Sequence, residues 1–329
     1  MEFEEVLQSV TNSTIYDALV KAKQVINSYD NVAVSISGRG ADSDVMLDII
    51  EKIKDPGKKI NYVWFNTGLE YTPTKEHIKE LEKKYGIQIE ECKPVKPIPV
   101  CIKEFGIPFL NKRVSEYIQR LQARNFQWED EPYEVLIERY PNTIHALKWW
   151  CNIRTNPYTG KYSTFCIGYN KYLKEFLMKY PPTFPISSRC CDYAKKKVAV
   201  LFNKDHNIEL NCTGIRRSEG GRRANLKTCY TTCNDKYDEF RPILWFVDDD
   251  KREYENLFNI IHSNCYTVWG MRRTGCCGCP FDREIDQDLE IIKQYEPKLY
   301  NACISLFGKS YEYTKKYKEF VEEIKSKKE

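Results

Sequence analysis

The chain has 329 residues and a mass of 38.9 kDa, with 42% hydrophobic and 30% charged residues and a formal net charge of +4. That length buries a core as one large domain or two modest ones, and so small a net charge does not by itself point to nucleic acid, although a local basic surface stays open. No apolar run is long enough to cross a bilayer, and the acidic start, MEFEEVLQSV, is not a secretory signal; the expected setting is the cytoplasm, with no membrane partner.

Residues 2–28 read as a helix. NVAVSIS (31–37) is a short apolar run, expected as a buried strand. From Asp42 to Ile53 the apolar positions Val45, Met46, Ile49, Ile50 and Ile53 form a helical stripe. INYVWFN (60–66) is a second strand. TPTKEHIKELEKKYG (72–86) opens with Thr-Pro and closes on Gly, as a punctuated helix does, and IQIEEC (87–92) is a third strand. Strand, helix, strand, helix, strand predicts an α/β fold, a parallel sheet with helices on both faces. Residues 110–182 are helical and rich in aromatics, and are expected as a helical insertion. The sheet resumes at NIELNCTGI (207–215) and, in this reading, at PILWFV (242–247). The expected organisation is therefore 1–109 as the first half of a nucleotide-binding α/β domain, 110–182 as the insertion, and 183–329 as the remainder with a cysteine-rich site and C-terminal helices.

The first strand-to-helix turn reads Ser37-Gly38-Arg39-Gly40-Ala41-Asp42-Ser43. Its glycines permit positive φ and close approach of a ligand. Backbone N–H groups there and at the helix N-terminus make a nest for an anion, with Ser37 and Ser43 as further donors. Asp42 caps the helix or orients a metal ion. The stretch lacks the Gly-Lys-Ser/Thr ending of a Walker loop and the dinucleotide fingerprint. Taken alone it leaves two readings: a phosphate nest, or a glycine turn in which Asp42 is an N-cap.

Fourteen cysteines are many for a chain in a reducing compartment, where metal binding or catalysis explains them better than disulfides. Cys190-Cys191 and Cys276-Cys277-Gly278-Cys279 stand apart from the other nine. Four thiolates suit zinc or an iron–sulfur cluster, and spacing does not choose between them. Cys277 is the spare thiol: a ligand, a sulfur carrier or a turn residue. Cys229-x-x-x-Cys233 has helical spacing. Cys92, Cys101, Cys151, Cys166, Cys212, Cys265 and Cys303 read as isolated core residues. His77, His145, His206 and His262 lack metal-ligand spacing and read as structural. In TGIRRSEGGRR, Arg216, Arg217, Arg222 and Arg223 flank a turn; arginine forks pair with phosphate or sulfate oxygens. Lys195, Lys196 and Lys197 follow the first cysteine pair, and Arg272-Arg273 precede the second. Trp149-Trp150 and the Tyr-rich stretches read as core sooner than as a base-stacking platform.

The turn resembles the Ser-Gly-Gly-x-Asp-Ser pyrophosphate loop of the adenine nucleotide α-hydrolase-like superfamily. FNTGLEYTPTKEHIKELEKKYGI, SSRCCDYAKKKVA, TGIRRSEGGRR, RPILW and TGCCGCPF are similar, in order, to motifs of the phosphoadenosine phosphosulfate (PAPS) reductase family. The resemblance spans roughly residues 30–310. It implies an adenine nucleotide held by Ser35, Ser37, Gly38, Arg39, Gly40, Asp42, Ser43, Asn66, Thr67, Gly68, Glu70, Gly214, Arg216, Arg217 and Lys197, with Asp42 and Arg216 in catalytic roles. It also implies a 4Fe–4S cluster on Cys190, Cys191, Cys276 and Cys279, with zinc as the alternative. Two departures matter: Arg39 lengthens the loop by one residue, and Asn66 stands where the family has Asp.

Three readings follow. In the first, ATP with magnesium adenylates an acceptor, and sulfur from a donor such as a cysteine desulfurase displaces AMP; the DNA phosphorothioation protein DndC is similar in pairing such a loop with cysteine pairs. The acceptor is then a nucleic acid or a small molecule. In the second, the protein reduces a sulfonucleotide to sulfite, although the cysteine motif of those reductases is not found after Cys303. In the third, it is a nucleotide-binding accessory subunit of a defence-system complex.

Overall fold

In a computed structural model, residues 2–38, 41–221, 223–233, 237–272 and 274–327 are described. The chain divides into two compact units, Met1–Val95 with Tyr193–Cys276, and Lys96–Asp192 with Cys277–Glu329.

The first unit is built on strands β1 (Val32–Ile36), β2 (Ile60–Phe65), β3 (Ile89–Cys92), β4 (Leu210–Thr213), β5 (Tyr230–Thr231) and β6 (Asp238–Phe240). They form one sheet in the order β3-β2-β1-β4-β6-β5. All neighbours pair in parallel except β5 with β6. Val32 lies opposite Ile60 on one side and Leu210 on the other, so β1 is the central strand. This explains its uninterrupted apolar run: a strand covered on both faces has no reason to alternate. On one face Val32, Val34 and Ile36 pack with the apolar stripes of helices α2 (Ser13–Asn27) and α3 (Ala41–Ile53), through Leu19, Ile26, Met46, Ile49 and Ile50. On the other, Ala33 and Val63 meet Phe202 and Ile208.

Two sequence expectations change. The single helix over 2–28 is two, α1 (Phe3–Gln8) and α2. Asn12 accepts from the amides of Thr14 and Ile15 and so starts a new helix, as an N-cap does. PILWFV is not a strand: residues 242–245 form turns, and the sheet is extended instead by the short β5 and β6. Ile243, Leu244 and Phe246 are buried from that turn, which is why the segment carries the composition of a strand. The helix predicted over 72–86 is α4 (Thr72–Tyr85), ending at Gly86.

The second unit is helical. Phe109, Ile118, Trp149, Trp150, Leu173 and Phe176 share its core with Tyr313 and Phe320 of the long helix Pro297–Ser326. Tyr117 stacks on Trp149 with ring centroids 5.1 Å apart, and Trp150 Nε1 donates to the Glu129 carbonyl at 2.9 Å. The tryptophan pair is therefore core, as the sequence suggested.

One buried carboxylate fastens the first unit. Asp48 on α3 accepts from the hydroxyls of Tyr254 and Tyr85, each at 2.8 Å, and pairs with Lys52 at 3.0 Å. Asp48→Ala leaves the enclosed Tyr254 hydroxyl without its acceptor and breaks a buried network, so urea unfolding should show a loss of about 3 kcal/mol. Lys52→Ala, which removes a half-buried partner only, should cost well under half of that.

Candidate functional site

β1 delivers Ser37 and Gly38 to the turn, and α3 begins at Ala41; Arg39 and Gly40, both expected to bind nucleotide, lie outside the described residues. Gly38 has φ +59°, and a Cβ there would come within 2.8 Å of Ile78 Cδ1. The backbone demands glycine, and a methyl there would also have to displace the end of the Ile78 side chain. The Ser37 and Ser43 hydroxyls meet at 2.9 Å across the turn. Beneath them Ser35 donates to Asn211 Oδ1 at 2.9 Å, tying β1 to β4 through side chains as well as the ladder.

The opposite wall comes from the end of β4. A Cβ on Gly214 would lie 2.8 Å from the Asp42 carbonyl oxygen, so the backbone presses directly onto the first turn of α3. Two residues on, Arg216 is buried. Its Nε donates to Asp42 Oδ1 at 2.9 Å, and its Nη1 to Asp248 Oδ1 at 2.7 Å and Ser218 Oγ at 3.2 Å. Lys251 Nζ stands 3.9 Å from the same Asp42 oxygen. Burial raises the Asp42 carboxyl above the ordinary range, although Arg216 and Lys251 pull against it. The neighbouring cations behave differently. Arg217 is exposed, bonded to the Ala224 carbonyl at 3.0 Å with its guanidinium over Trp245; Arg223 pairs with Glu219; and Lys197 lies over the Tyr193 ring at 3.8 Å. Arg222 and Arg273 lie outside the described residues.

At the end of β2, the residues singled out as a nucleotide segment bind one another. Glu70 Oε1 accepts from the Thr67 amide at 2.8 Å and hydroxyl at 2.7 Å, both residues being buried. Asn66 Oδ1 accepts from the Gly68 amide at 2.8 Å, and Asn66 Nδ2 donates to Glu91 at 2.7 Å. Asn66 thus supplies a turn-forming oxygen and a donor, and a carboxylate there would give up the bond to Glu91.

Sequence reasoning missed the group directly below this turn. Asp44, one residue past Ser43, is fully enclosed. Its Oδ2 meets His77 Nε2 at 3.0 Å and His262 Nδ1 at 2.9 Å, and its Oδ1 finds no partner among the described residues. His262 continues to Glu255 at 2.8 Å, Glu255 to Lys251 at 2.7 Å, and Lys251 approaches Asp42. A chain of charges thus runs from the base of α3 back to the top of the turn. Burial alone would raise the Asp44 carboxyl; the hydrogen bonds and charge of His262 and His77 outweigh it and hold Asp44 below the ordinary carboxylate range. Burial would likewise lower the histidines, but Asp44 and Glu255 lift His262 to about 9, and Asp44 and Glu80 lift His77. His262 is therefore an imidazolium at neutral pH under the turn, and His77 is shifted in the same direction. No local motif announces them, because the partners come from three separate helices or loops.

Among the described residues, no group of three or more His, Cys, Asp or Glu side chains has the spacing to hold a metal ion. Cys190 and Cys191 are buried in the short helix Arg189–Cys191, and Cys276 and Cys279 are half-buried. Soft, partly buried thiols are the right donors for iron or zinc; by donor chemistry these four fit. Cys303, read as isolated, is not: its thiol lies 3.7 Å from Cys277 Sγ and 3.5 Å from the Cys277 carbonyl. Cys229 and Cys233 flank β5, so their four-residue spacing is not helical.

The fold and the turn define the class: a largely parallel α/β sheet with a glycine-containing turn at the carboxyl end of its central strand, between β1 and β4, where the strand order reverses. Residues 31–127 match the family model described as a phosphoadenosine phosphosulfate reductase domain. An uncharacterized protein of Methanocaldococcus jannaschii, MJ0066, is 29% identical over 168 aligned residues, 44% of this chain and 34% of that protein. The chain thus spans about a third of the length of that relative. Among solved structures, the chain is similar to a PAPS reductase from Candida auris (TM-score 0.43, 12% identity, 83% of this chain and 93% of that one). It is also similar to the U34-tRNA thiolase NcsA of Methanococcus maripaludis, solved with its [4Fe-4S] cluster (TM-score 0.38, 11% identity, 94% and 80%).

The histidine pair has a pH signature. The folded-state value of His262 lies above its unfolded one, so its contribution is complete below about pH 6.5 and fades as pH rises through about 9. Wild type should exceed His262→Gln in unfolding free energy by up to about 3 kcal/mol near pH 6, and the gap should close by about pH 10. Denaturant melts of both proteins across that range check it; a gap independent of pH would remove the imidazolium from the account.

Proposed function

We propose that this protein binds ATP with magnesium at the turn after β1, adenylates an acceptor, and passes sulfur to the activated position. The observation that carries the reading is the meeting of Ser37, Gly38 and Ser43 with the Asp42–Arg216 pair at the carboxyl ends of β1 and β4. Paired hydroxyls, the first amides of α3 and a glycine-lined approach form a donor set suited to pyrophosphate oxygens. Asp42 supplies the one carboxylate that a magnesium site completed by substrate phosphates needs. Arg216 fixes the orientation of that carboxylate, and the His262 imidazolium below supplies positive charge near the leaving group.

The acceptor attacks the α-phosphorus, the bond to the bridging oxygen breaks, and pyrophosphate leaves with its charge held by the turn. A sulfur nucleophile from a donor such as a cysteine desulfurase then displaces AMP. The thiols of Cys190, Cys191, Cys276 and Cys279 are proposed to hold a 4Fe–4S cluster, one thiolate to each iron, which would supply one-electron redox chemistry. A second reading, reduction of a sulfonucleotide to sulfite, is favoured by the reductase-domain match over residues 31–127.

Product analysis on anaerobically purified protein separates the two. AMP and pyrophosphate from ATP and magnesium support adenylation; sulfite from PAPS or adenylylsulfate with a thiol reductant replaces it with reduction; neither product overturns both. Gly38→Ala should weaken ATP binding at least tenfold, since the new methyl enters the Ile78 side chain at a left-handed position. Asp42→Asn should lower turnover by about a hundredfold while ATP still binds. In the same preparations, Cys191→Ser and Cys279→Ser should each lose bound iron and visible absorbance, measured by metal analysis and spectroscopy. Iron retained in both would remove these ligands from the proposal.

A further inference from the structure

A loop of the second unit carries a feature that the nucleotide site does not use. Residues 139–174 contain no Asp or Glu, although the chain has 47 among its 329 residues. The cations at the two ends, Arg139 and Lys174, pair with Glu129 and Asp130. The four between them, Lys148, Arg154, Lys161 and Lys171, have no carboxylate partner among the described residues.

The loop is a built knob. Thr155 and Tyr162 pair in an antiparallel bridge, and the Asn156 amide donates to the Lys161 carbonyl at 3.0 Å. Asn156 Oδ1 accepts from the amides of Tyr158 and Thr159 at 2.9 and 3.1 Å, fixing the tip. Asn152 Oδ1 accepts from the Gly168 amide at 2.9 Å, and the Tyr162 ring lies so close to Gly168 that a Cβ there would come within 2.6 Å of it. From this frame four aromatics face solvent: Tyr158 (95% exposed), Tyr169 (57%), Tyr162 (48%) and Phe165 (39%). Arg113 and Arg154 stand over the Phe165 ring at 4.0 and 5.2 Å from its centroid.

The unit has an aromatic core close by in sequence, which takes Trp149 and Trp150. Leaving four rings outside it forfeits burial worth having, and a hydrogen-bonded loop holds them there. Aromatic faces interleaved with cations and cleared of acids are what binds a flexible strand of nucleotides: bases stack on the rings, and phosphates meet Arg and Lys. An acidic peptide would satisfy the charges and leave the rings unused.

We infer that the loop 152–169 is a binding surface for single-stranded nucleic acid. This goes beyond the ATP reading and does not need it, because binding is read without nucleotide; a protein that fails to turn over ATP leaves the inference standing.

The experiment is fluorescence anisotropy of the full chain with labelled single-stranded RNA and DNA of about 12 nucleotides, competed with duplex DNA, heparin and poly-glutamate. Both single strands are expected to bind, and the preferred one identifies the natural class. Tyr158→Ala and Tyr169→Ala should each weaken binding about tenfold, and Tyr158→Phe should restore it, because the ring and not the hydroxyl stacks. The double change Arg154→Ala with Lys161→Ala should flatten the slope of log affinity against log salt by roughly 1.4. These side chains are exposed, so unchanged thermal melts will certify the fold. No binding of either strand overturns the inference. So does binding that heparin or poly-glutamate matches and that the tyrosine changes do not alter, which would mark a polyanion patch instead.

Discussion

The first unit depends on one close approach: the backbone after β4 lies on the first turn of α3, with nothing but a hydrogen on Gly214 to fill the gap to the Asp42 carbonyl. From that contact the rest follows. It brings Arg216 within a bond of Asp42 and so joins two segments of the chain 174 residues apart. A methyl group at position 214 would drive the wall outward and lengthen the Arg216 bond, even though Gly214 itself bears no functional atom. The geometry of the turn is thus set by what is missing from a side chain as much as by what the neighbouring side chains carry.

The charge below the turn is tolerated for a different reason, its hydrogen-bonded partners. Asp44 is enclosed, and an isolated buried carboxylate would shed its charge by taking up a proton. Here two imidazoles hold its carboxyl below the ordinary range, and it raises both of theirs in turn. Each histidine hands its second nitrogen to a glutamate nearer solvent, His77 to Glu80 and His262 to Glu255. Excess charge is therefore led outward in both directions. Removing either end leaves the middle members stranded, so the chain is expected to respond as a unit and not as a sum of pairs.

The sequence made β1, the turn and α3 legible because each has a local signature: an apolar run, glycines, and a stripe with helical period. It could not reveal Asp44 with His77 and His262, whose separations of 33 and 218 residues leave no pattern to read. The PILWFV segment was misread for a related reason. Composition reports burial, and a tight turn pressed into a core is as apolar as a strand. Cys303 likewise gave no sign of Cys277, because a helix and a distant turn supply the two thiols.

The aromatic residues of the second unit make the complementary point. Trp149 and Tyr158 belong to the same acid-free stretch, and by composition both read as core. What separates them is local covalent detail. Trp149 and Trp150 lie on the helix Ile144–Trp150, whose turns direct them against Tyr117 and Phe126. Tyr158 follows Asn156-Pro157, where the Asn side chain captures the next two free amides and turns the chain outward. A proline supplying no amide, an asparagine closing the turn and a glycine at 160 leave Tyr158 no path back to the core. Its exposure is written into the turn chemistry, and a ring held in water by the backbone is a feature that folding alone does not require.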